Sequence, residues 1–312
     1  MLIHDHEQQR RTVLRLAGAR DGKVYIGPEV VHLLITDQCN LQCRECLFHA
    51  PVAPVKPITV KTLAVDKLRE IIRDCVALKV NWIELYGEGE PTLHPGFSAL
   101  MDCFKDQPIG VRLLTNGVFG AARIGDVLRA DKVQINCSAI ARDTYQAFHG
   151  RDLFDRVMDN VRELTLRRNA RKLPCLITVI YLLREESAVL MDEVRHFFQG
   201  LGVDKVVFRT FVQDGLEIAD KRGADAPDCF YGWFGAIADG TVRPCYCLPG
   251  DGKFDLKQRS FKEIWLSDDF MNVRMDGRHG RLGGRVAGGC RQCRYYSENQ
   301  LFTHRLRRLE DV

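Results

Sequence analysis

The sequence has no long hydrophobic run and no strong excess of charge of either sign. No segment approaches the roughly 18 consecutive apolar residues that a membrane helix needs. Residues 1–20 mix acids, bases and glutamine, and so lack the apolar core of a signal peptide. The formal net charge is only +4 over 312 residues, which gives no support to a nucleic-acid partner. We therefore expect a cytoplasmic protein that binds neither a membrane nor a nucleic acid.

Cysteine, in contrast, is abundant. The chain has 12 cysteines, and in a cytoplasmic protein these are expected to be reduced thiols. Seven of them fall into two groups whose spacing favours metal or cluster ligation: Cys39, Cys43 and Cys46, and then Cys229, Cys245, Cys290 and Cys293. Four others lie in predicted helices or strands and are expected to be buried small hydrophobic residues: Cys75, Cys103, Cys137 and Cys175.

Short apolar runs alternate with amphipathic stretches through most of the chain. The runs predict six strands, at 31–36, 82–86, 111–114, 133–137, 175–182 and 205–210. The stretches between them predict helices at 62–78, 97–104, 144–168 and 186–199. This alternation predicts an α/β fold with a parallel sheet and helices outside it. Six units are too few for a closed eight-stranded barrel, so we expect a partial, TIM-like (β/α)6 barrel with its active site at the strand C-termini.

The composition changes along the chain predict four segments. Residues 1–27 are expected to be an N-terminal extension and residues 28–211 the barrel core. Residues 212–227, which include three Asp and two Gly, are predicted to be a linker. Residues 228–312 are predicted to be a small cysteine-rich domain with a basic tail. Within it, Asp276–Gly289 has no apolar periodicity and is expected to be a loop.

The first cysteine group directly follows the first predicted strand. Three thiolates in one short loop can hold three irons of a cubane [4Fe–4S] cluster. A fourth cysteine does not follow until Cys75, inside a predicted helix, so one iron is left without a protein ligand. An open coordination position is what chemistry on a bound molecule requires. The alternatives are a zinc site or a chance cluster of cysteines.

The spacing Cys39-x-x-x-Cys43-x-x-Cys46 resembles the signature of the radical S-adenosylmethionine superfamily. The resemblance implies that the fourth iron is chelated by the amino and carboxylate groups of S-adenosylmethionine. Reductive cleavage then gives a 5′-deoxyadenosyl radical that abstracts a hydrogen atom from the substrate. It also implies a reductase, such as flavodoxin or ferredoxin, as electron donor. One residue departs from the pattern: Glu45 stands where the family commonly has an aromatic residue.

Four further elements resemble those that hold the cofactor in this family. Residues 86–95 resemble its glycine-rich GGEP element, Thr115-Asn116-Gly117 its TNG element, and the end of the fourth strand its polar contacts to the cofactor. The stretch Tyr145…His149-Gly150-Arg151 resembles the place where the family has a basic residue that can meet the carboxylate. The resemblance therefore implies these cofactor-binding residues: Glu88, Gly89, Glu90, Asn116, Asn136, Ser138 and Arg151. Asn136 and Ser138 are expected to share one face of a strand. The alternatives are a plain strand–helix loop, a helix cap by Glu90, an ordinary Asn-Gly turn and a solvated arginine.

The second cysteine group resembles the one-cluster version, called twitch, of the SPASM extension found in some members of this family. Cys229, Cys245, Cys290 and Cys293 would then saturate an auxiliary [4Fe–4S] cluster, with a zinc site as the alternative. Residues 261–265 resemble the short helix between the two halves of that extension. Cys247 is left over as a substitute ligand, an inert thiol or a hydrogen-atom donor.

These resemblances imply oxidation or epimerisation of a small molecule such as a sugar, aminocyclitol or nucleoside intermediate. In oxidation the auxiliary cluster accepts the remaining electron, and in epimerisation Cys247 returns a hydrogen atom. Only about thirty residues precede the first strand, so we expect no leader-binding domain of the kind that many peptide-modifying relatives have. The alternatives are a peptide- or protein-modifying maturase and, among non-enzymes, an iron–sulfur electron carrier.

Overall fold

A computed structural model describes residues 2–52, 62–184, 190–210, 229–245, 248 and 250–279. The described residues form two compact units. The first unit takes residues from within Met1–Leu33, Arg69–Ile83 and Val212–Val312, and the second takes them from within Leu34–Leu68 and Glu84–Phe211. The segment boundaries expected from the sequence, at 27, 211 and 227, remain predictions. No helix in the described part of the chain has the length and apolar character needed to cross a membrane.

Up to residue 210, the described strands are separated by helices, as expected. In chain order they are α1 (Leu2–Asp21), β1 (Val30–Leu34), α2 (Val65–Ala77), β2 (Trp82–Tyr86), α3 (Phe97–Asp102), β3 (Gly110–Thr115), α4 (Ile124–Val127), β4 (Lys132–Asn136), α5 (Arg142–His149), α6 (Phe154–Ala170), β5 (Leu176–Leu183), α7 (Met191–Gly200), β6 (Lys205–Thr210), α8 (Tyr231–Phe234), β7 (Gly235–Ala238), β8 (Val242–Arg243), α9 (Phe261–Leu266) and α10 (Asp268–Arg278). Each of the six predicted strands is present.

The second unit is built on a parallel sheet. Its strand order is β6-β5-β4-β3-β2-β1, in which β1 and β2 contribute only their C-terminal residues. The β3–β4, β4–β5 and β5–β6 pairs are all parallel, and Leu113 lies opposite Val133, which lies opposite Ile177. These three side chains are fully buried. Because the strands are parallel, their carboxyl ends meet at one edge of the sheet, where Thr115 and Asn136 end β3 and β4.

The single helix predicted over 144–168 is wrong, because the structure has two helices there. α5 ends at Gly150, which has φ +74° and closes the helix through its N–H to the Gln146 carbonyl. A side chain at position 150 would also collide with the Gln42 backbone, since a Cβ atom there would lie 2.3 Å from the Gln42 oxygen. A left-handed glycine at a helix C-terminus is a common stop signal. α6 starts afresh at Phe154.

The first unit joins the N-terminal helix to the C-terminal part of the chain. In this unit β1 pairs with β7 in parallel, and β7 pairs with β8 in antiparallel fashion. Leu16 and Ala19 of α1 are buried in one cluster with three aromatic residues, Phe230, Trp233 and Phe234. The segment expected to be an extension is therefore a helix that contributes to the core. The predicted short helix at 261–265 is confirmed as α9, which begins with a capping box between Ser260 and Glu263.

A buried arginine connects the elements of this unit. Arg274 of α10 is 1% exposed and donates to the carbonyls of Gly232 and Trp265, each at 2.9 Å. Its guanidinium lies 4.0 Å from the centroid of the Trp265 ring and 4.5 Å from that of Phe270. Burial lowers the pKa of Arg274 to about 9. The helix that carries it, α10, extends through Arg278 and so into the segment expected to be a loop.

Substitution Arg274→Ala is expected to lower the free energy of unfolding by about 2–4 kcal/mol, because it leaves two carbonyls unpaired and opens a cavity beside Trp265. The matched control is Arg278→Ala on the same helix, whose guanidinium makes an exposed hydrogen bond to the Arg20 carbonyl; it should cost less than about 0.5 kcal/mol. Urea unfolding of both variants measures the difference. Equal effects would contradict the role given to Arg274.

Candidate functional site

The three cysteines of the first group lie in the second unit, in the loop that follows β1. Cys39, Cys43 and Cys46 are each partly buried, and none forms a disulfide. A tight turn joins the last two, since the Cys46 N–H donates to the Cys43 carbonyl at 3.0 Å. The next residues fold back on the loop, and the backbone N–H of His49 lies 3.3 Å from the Cys46 sulfur. The local backbone therefore holds these thiols on one short segment.

The glycine-rich loop after β2 packs directly on the backbone that precedes Cys39. A Cβ atom on Gly89 would lie 2.2 Å from the Gln38 carbonyl oxygen, which is closer than any side chain allows. The next residue, Glu90, donates its N–H to that same oxygen at 2.7 Å. Glycine is therefore required at position 89 for the two loops to meet.

Glu90 is the centre of the hydrogen bonds behind the cysteine loop. Its side chain is 2% exposed. Oε1 accepts from the N–H and hydroxyl of Thr92, at 3.1 and 2.7 Å, and from the Thr115 hydroxyl at 2.6 Å. Oε2 accepts from the Asn116 N–H at 2.7 Å. Burial raises the pKa of Glu90, although these donors act to lower it. The carboxyl also caps the short 3-10 turn Pro91–Leu93, so the alternative role of a helix cap is present as well.

Asn116 links the end of β3 to the cysteine loop. Its amide Nδ2 donates to Asn40 Oδ1 at 2.8 Å and points at the Cys39 sulfur at 3.9 Å. Asn40 in turn donates to the Val118 carbonyl at 2.7 Å. The predicted Asn-Gly turn is also present, because Gly117 has φ +79°. Asn116 therefore both shapes the turn and contacts the segment around the first cysteine.

A histidine contacts the second cysteine. His149, the last residue of α5, is 1% exposed, and its Nδ1 lies 3.4 Å from the Cys43 sulfur. Its Nε2 lies 3.2 Å from the backbone nitrogen of Ser138. The ring stacks on Tyr145, with 4.3 Å between the ring centroids. Burial lowers the pKa of His149 to about 3, with a smaller contribution from the charge of Arg184. The family-like stretch from Tyr145 to Arg151 includes His149, but the sequence analysis assigns a cofactor contact there only to Arg151.

The thiols fit the ligand set of an iron–sulfur cluster. Each of the three sulfur atoms faces an N–H group, and such groups stabilise thiolate ligands. Burial raises the pKa of Cys39 and Cys43, that of Cys43 to about 12, so the unmetallated thiols are protonated at neutral pH and a metal would displace their protons. In the part of the chain that the structure describes, no three Cys, His, Asp or Glu side chains surround one ion position. A cubane differs from a single ion, because each thiolate binds its own iron.

The residue that departs from the family pattern has charged neighbours. Oε1 of Glu45 accepts from Arg44 at 3.1 Å and from Arg184 at 3.3 Å. The Arg184 guanidinium also lies 3.7 Å from the centroid of the Phe148 ring. Oε2 of Glu45 is buried without a hydrogen-bond partner. The Arg184 guanidinium therefore contacts both the Glu45 carboxylate of the cysteine loop and the Phe148 ring.

The remaining predicted cofactor residues lie in different environments. Asn136 is exposed and Ser138 is buried, and β4 ends at Asn136. The expectation that these two share a face stays a prediction. The Ser138 hydroxyl accepts from the Leu182 N–H at 3.0 Å. Glu88 is partly exposed and Arg151 is exposed. The backbone of Ser138, through His149, is thus connected to the cysteine loop.

The second cysteine group is described only in part. Cys229 and Cys245 lie in the first unit, partly buried, and neither forms a disulfide. The Cys229 N–H donates to the Gly277 carbonyl at 3.1 Å, which ties the segment before α8 to α10. Cys290, Cys293 and the leftover Cys247 lie outside the described residues. The four-cysteine auxiliary site therefore remains a prediction.

No family model matches the chain. A GTP 3′,8-cyclase from Klebsiella pneumoniae is 32% identical over 138 residues, which cover 42% of this chain and 40% of that protein. The chain thus spans less than half the length of the curated relatives it matches first.

Two solved structures share the fold. SuiB of Streptococcus suis, bound to the precursor peptide SuiA, has a TM-score of 0.63 at 11% identity and matches 83% of this chain and 70% of its own. BtrN in complex with AdoMet and 2-DOIA has a TM-score of 0.53 at 17% identity. That match covers 86% of this chain and 93% of the BtrN chain. The α/β fold with a parallel sheet is of the partial-barrel type expected from the sequence. The three-cysteine loop, with the glycine-rich loop packed against it, is the feature of this chain that resembles the radical S-adenosylmethionine superfamily.

Proposed function

We propose that this protein is an enzyme that reductively cleaves S-adenosylmethionine and uses the radical to abstract a hydrogen atom from a small molecule. The observation that carries the proposal is the connection between Cys39, Glu90 and Asn116. It joins the cysteine loop to the ends of two neighbouring strands, where parallel α/β sheets bind their ligands. An electron carrier needs the cysteines alone.

Each part of the site has a role in this proposal. Cys39, Cys43 and Cys46 would hold three irons and leave the fourth for the amino and carboxylate groups of S-adenosylmethionine. A reduced cluster held there supplies the electron that cleaves the cofactor to methionine and the 5′-deoxyadenosyl radical. Glu90 and Gly89 place the backbone of the glycine-rich loop beside the cysteines.

We assign the remaining cofactor contacts by their position around this loop. Asn116 has the strongest support, because its amide already reaches the cysteine segment. Asn136 is exposed at the end of β4, so its side chain is available to a ligand. The Ser138 hydroxyl accepts one hydrogen bond from the protein and keeps its own proton to donate. Glu88 and Arg151 complete the proposed set.

The auxiliary cluster and the reaction type form the second part of the proposal. Cys229 and Cys245, both in the first unit, would join Cys290 and Cys293 as ligands of a second [4Fe–4S] cluster. That cluster would take the remaining electron during oxidation. Cys247, two residues from Cys245, would instead return a hydrogen atom during epimerisation. The thiyl radical left on it would take one electron from the auxiliary cluster and one proton from solvent to restore the thiol. A flavodoxin or ferredoxin would supply the first electron.

For the substrate we propose a sugar, aminocyclitol or nucleoside-type small molecule. BtrN was crystallised in complex with AdoMet and 2-DOIA, whereas SuiB was crystallised bound to a precursor peptide. Both likenesses concern the fold alone, so a peptide- or protein-modifying activity is kept as the second candidate. An anaerobic assay of the reconstituted protein against both substrate classes separates them.

Loss of one first-group cysteine is expected to abolish cofactor cleavage. Cys39→Ala should reduce the iron content from about eight to about four atoms per chain and remove 5′-deoxyadenosine formation under dithionite. The matched control is Cys103→Ala, since Cys103 lies at the end of α3 and its thiol donates to the Ala99 carbonyl of the same helix; it should keep both properties. Iron analysis and chromatography measure them. A wild-type protein that holds its clusters without making 5′-deoxyadenosine would instead be an electron carrier.

Replacing the buried carboxyl is expected to destabilise the site. In Glu90→Gln, the new amide N–H₂ faces a group that now donates a hydrogen bond to the Glu90 carboxyl, so two donors meet and one hydrogen bond is lost. The free energy of unfolding should therefore fall by about 1–3 kcal/mol. Binding of S-adenosylmethionine to the reconstituted variant should weaken in parallel. The control Glu163→Gln breaks an exposed pair with Arg167 and should cost less than about 0.5 kcal/mol. Urea unfolding and equilibrium dialysis report the two effects, and unchanged stability in Glu90→Gln would remove the central role of this residue.

The choice between oxidation and epimerisation depends on Cys247. If its thiol is the hydrogen-atom donor, Cys247→Ala should still form 5′-deoxyadenosine with the substrate but no epimerised product. Turnover in D₂O should then place one deuterium on the product of the wild type, because a thiol exchanges its hydrogen with solvent. Unchanged turnover by Cys247→Ala removes the epimerase proposal and leaves oxidation.

A further inference from the structure

The three cysteine sulfurs of the first group receive their N–H contacts from different sources. Cys46 is contacted by the backbone N–H of His49, within the same loop. Cys39 is contacted by the backbone N–H groups of Leu41 and Asn40, and the Asn116 amide lies farther away, at 3.9 Å. Cys43 is approached by the His149 ring at 3.4 Å. His149 therefore supplies the shortest side-chain contact to these sulfur atoms in the described chain.

The hydrogen bonds of His149 determine which ring nitrogen carries the proton. The backbone nitrogen of Ser138 is a peptide N–H and can only donate, so Nε2 of His149 must be the acceptor of the 3.2 Å bond. A neutral imidazole has one N–H, which is then on Nδ1. Nδ1 therefore donates its proton toward the Cys43 sulfur.

The surrounding structure fixes the ring relative to the cysteine loop. The ring is fully buried between Tyr145, on which it stacks, and the edge of Phe148. Two backbone bonds also join the end of α5 to the loop itself. Gln42 donates to the His149 carbonyl at 3.2 Å, and Arg44 donates to the Phe148 carbonyl at 2.9 Å. The aromatic neighbours and the two backbone hydrogen bonds together hold the Nδ1–H group of His149 toward the Cys43 sulfur.

We propose that His149 is a positioning residue that raises the reduction potential of the cluster through its Nδ1–H bond to the Cys43 sulfur. The inference rests on the proposed function, because it needs a cluster on these cysteines. One-electron reduction by a donor such as dithionite adds negative charge that sulfur ligands share, and an N–H donor stabilises that charge. No bond forms or breaks in this step, and the proton stays on Nδ1.

The test is an EPR-monitored redox titration of the reconstituted protein, carried out with the second cluster removed by Cys245→Ala. His149→Phe keeps an aromatic ring at the position but removes the N–H. At a fixed potential, its ratio of reduced to oxidised cluster should be about twofold to tenfold lower, the range that one net hydrogen bond supports. His149→Gln, which can again donate to sulfur and accept from Ser138, should restore most of the ratio.

The matched control is Tyr145→Phe. The Tyr145 hydroxyl is buried without a hydrogen-bond partner, so its removal keeps the ring stack on His149 and should leave the titration unchanged. A wild-type ratio in His149→Phe, with the cluster intact, would overturn the inference. A wild-type protein that binds no iron at these cysteines would instead overturn the proposed function.

A second measurement does not depend on the cluster. Nitrogen-15 NMR of the apoprotein labelled at histidine, assigned by comparison with His149→Phe, reports which ring nitrogen is protonated. We expect the Nδ1–H form of His149. A proton on Nε2 would contradict the inference, even if His149→Phe fails to assemble a cluster.

Discussion

The site depends on one buried carboxyl group. Burying an acidic side chain is costly unless donors surround it, and Glu90 has four, from Thr92, Thr115 and Asn116. These donors come from the turn after β2 and from the end of β3, so they converge only when the two strands end side by side. The same interaction orients Asn116 toward the segment of Cys39. The position of the cysteine loop is thus a consequence of where the strands end.

Local sequence pattern predicts the strands well and helix ends less well. The boundaries of β2 and β6 match the expectation residue for residue, because short apolar runs between turns leave few other choices. The break at Gly150 is not visible in the pattern, since apolar residues continue at helical spacing on both sides of it. Its reason is the close approach of Gln42, more than 100 residues earlier. The pattern does not predict α1 either, because the aromatic partners of this helix lie at the other end of the chain.

The site shows the same division between local and distant information. Short sequence motifs predict both the cysteine spacing and the glycine at position 89. The three cysteines are close together in sequence, and the glycine is required where two loops pack tightly. The contact of His149 with Cys43 is not predicted in this way, because it depends on how α5 packs against the loop. The strand bounds also show this limit, since β4 ends at Asn136, one residue before the end of the apolar run that predicts it.

The first unit draws its residues from three separate stretches of the chain, and its aromatic cluster needs α1 as well as α8. β7 pairs with β8 on one side and needs β1 as its partner on the other. The C-terminal cysteine-rich region is therefore not a portable module. A chimera that exchanges residues 228–312 alone would pack Phe230 and Trp233 against the N-terminal helix of another protein, so grafting this region between relatives requires its own α1 to travel with it.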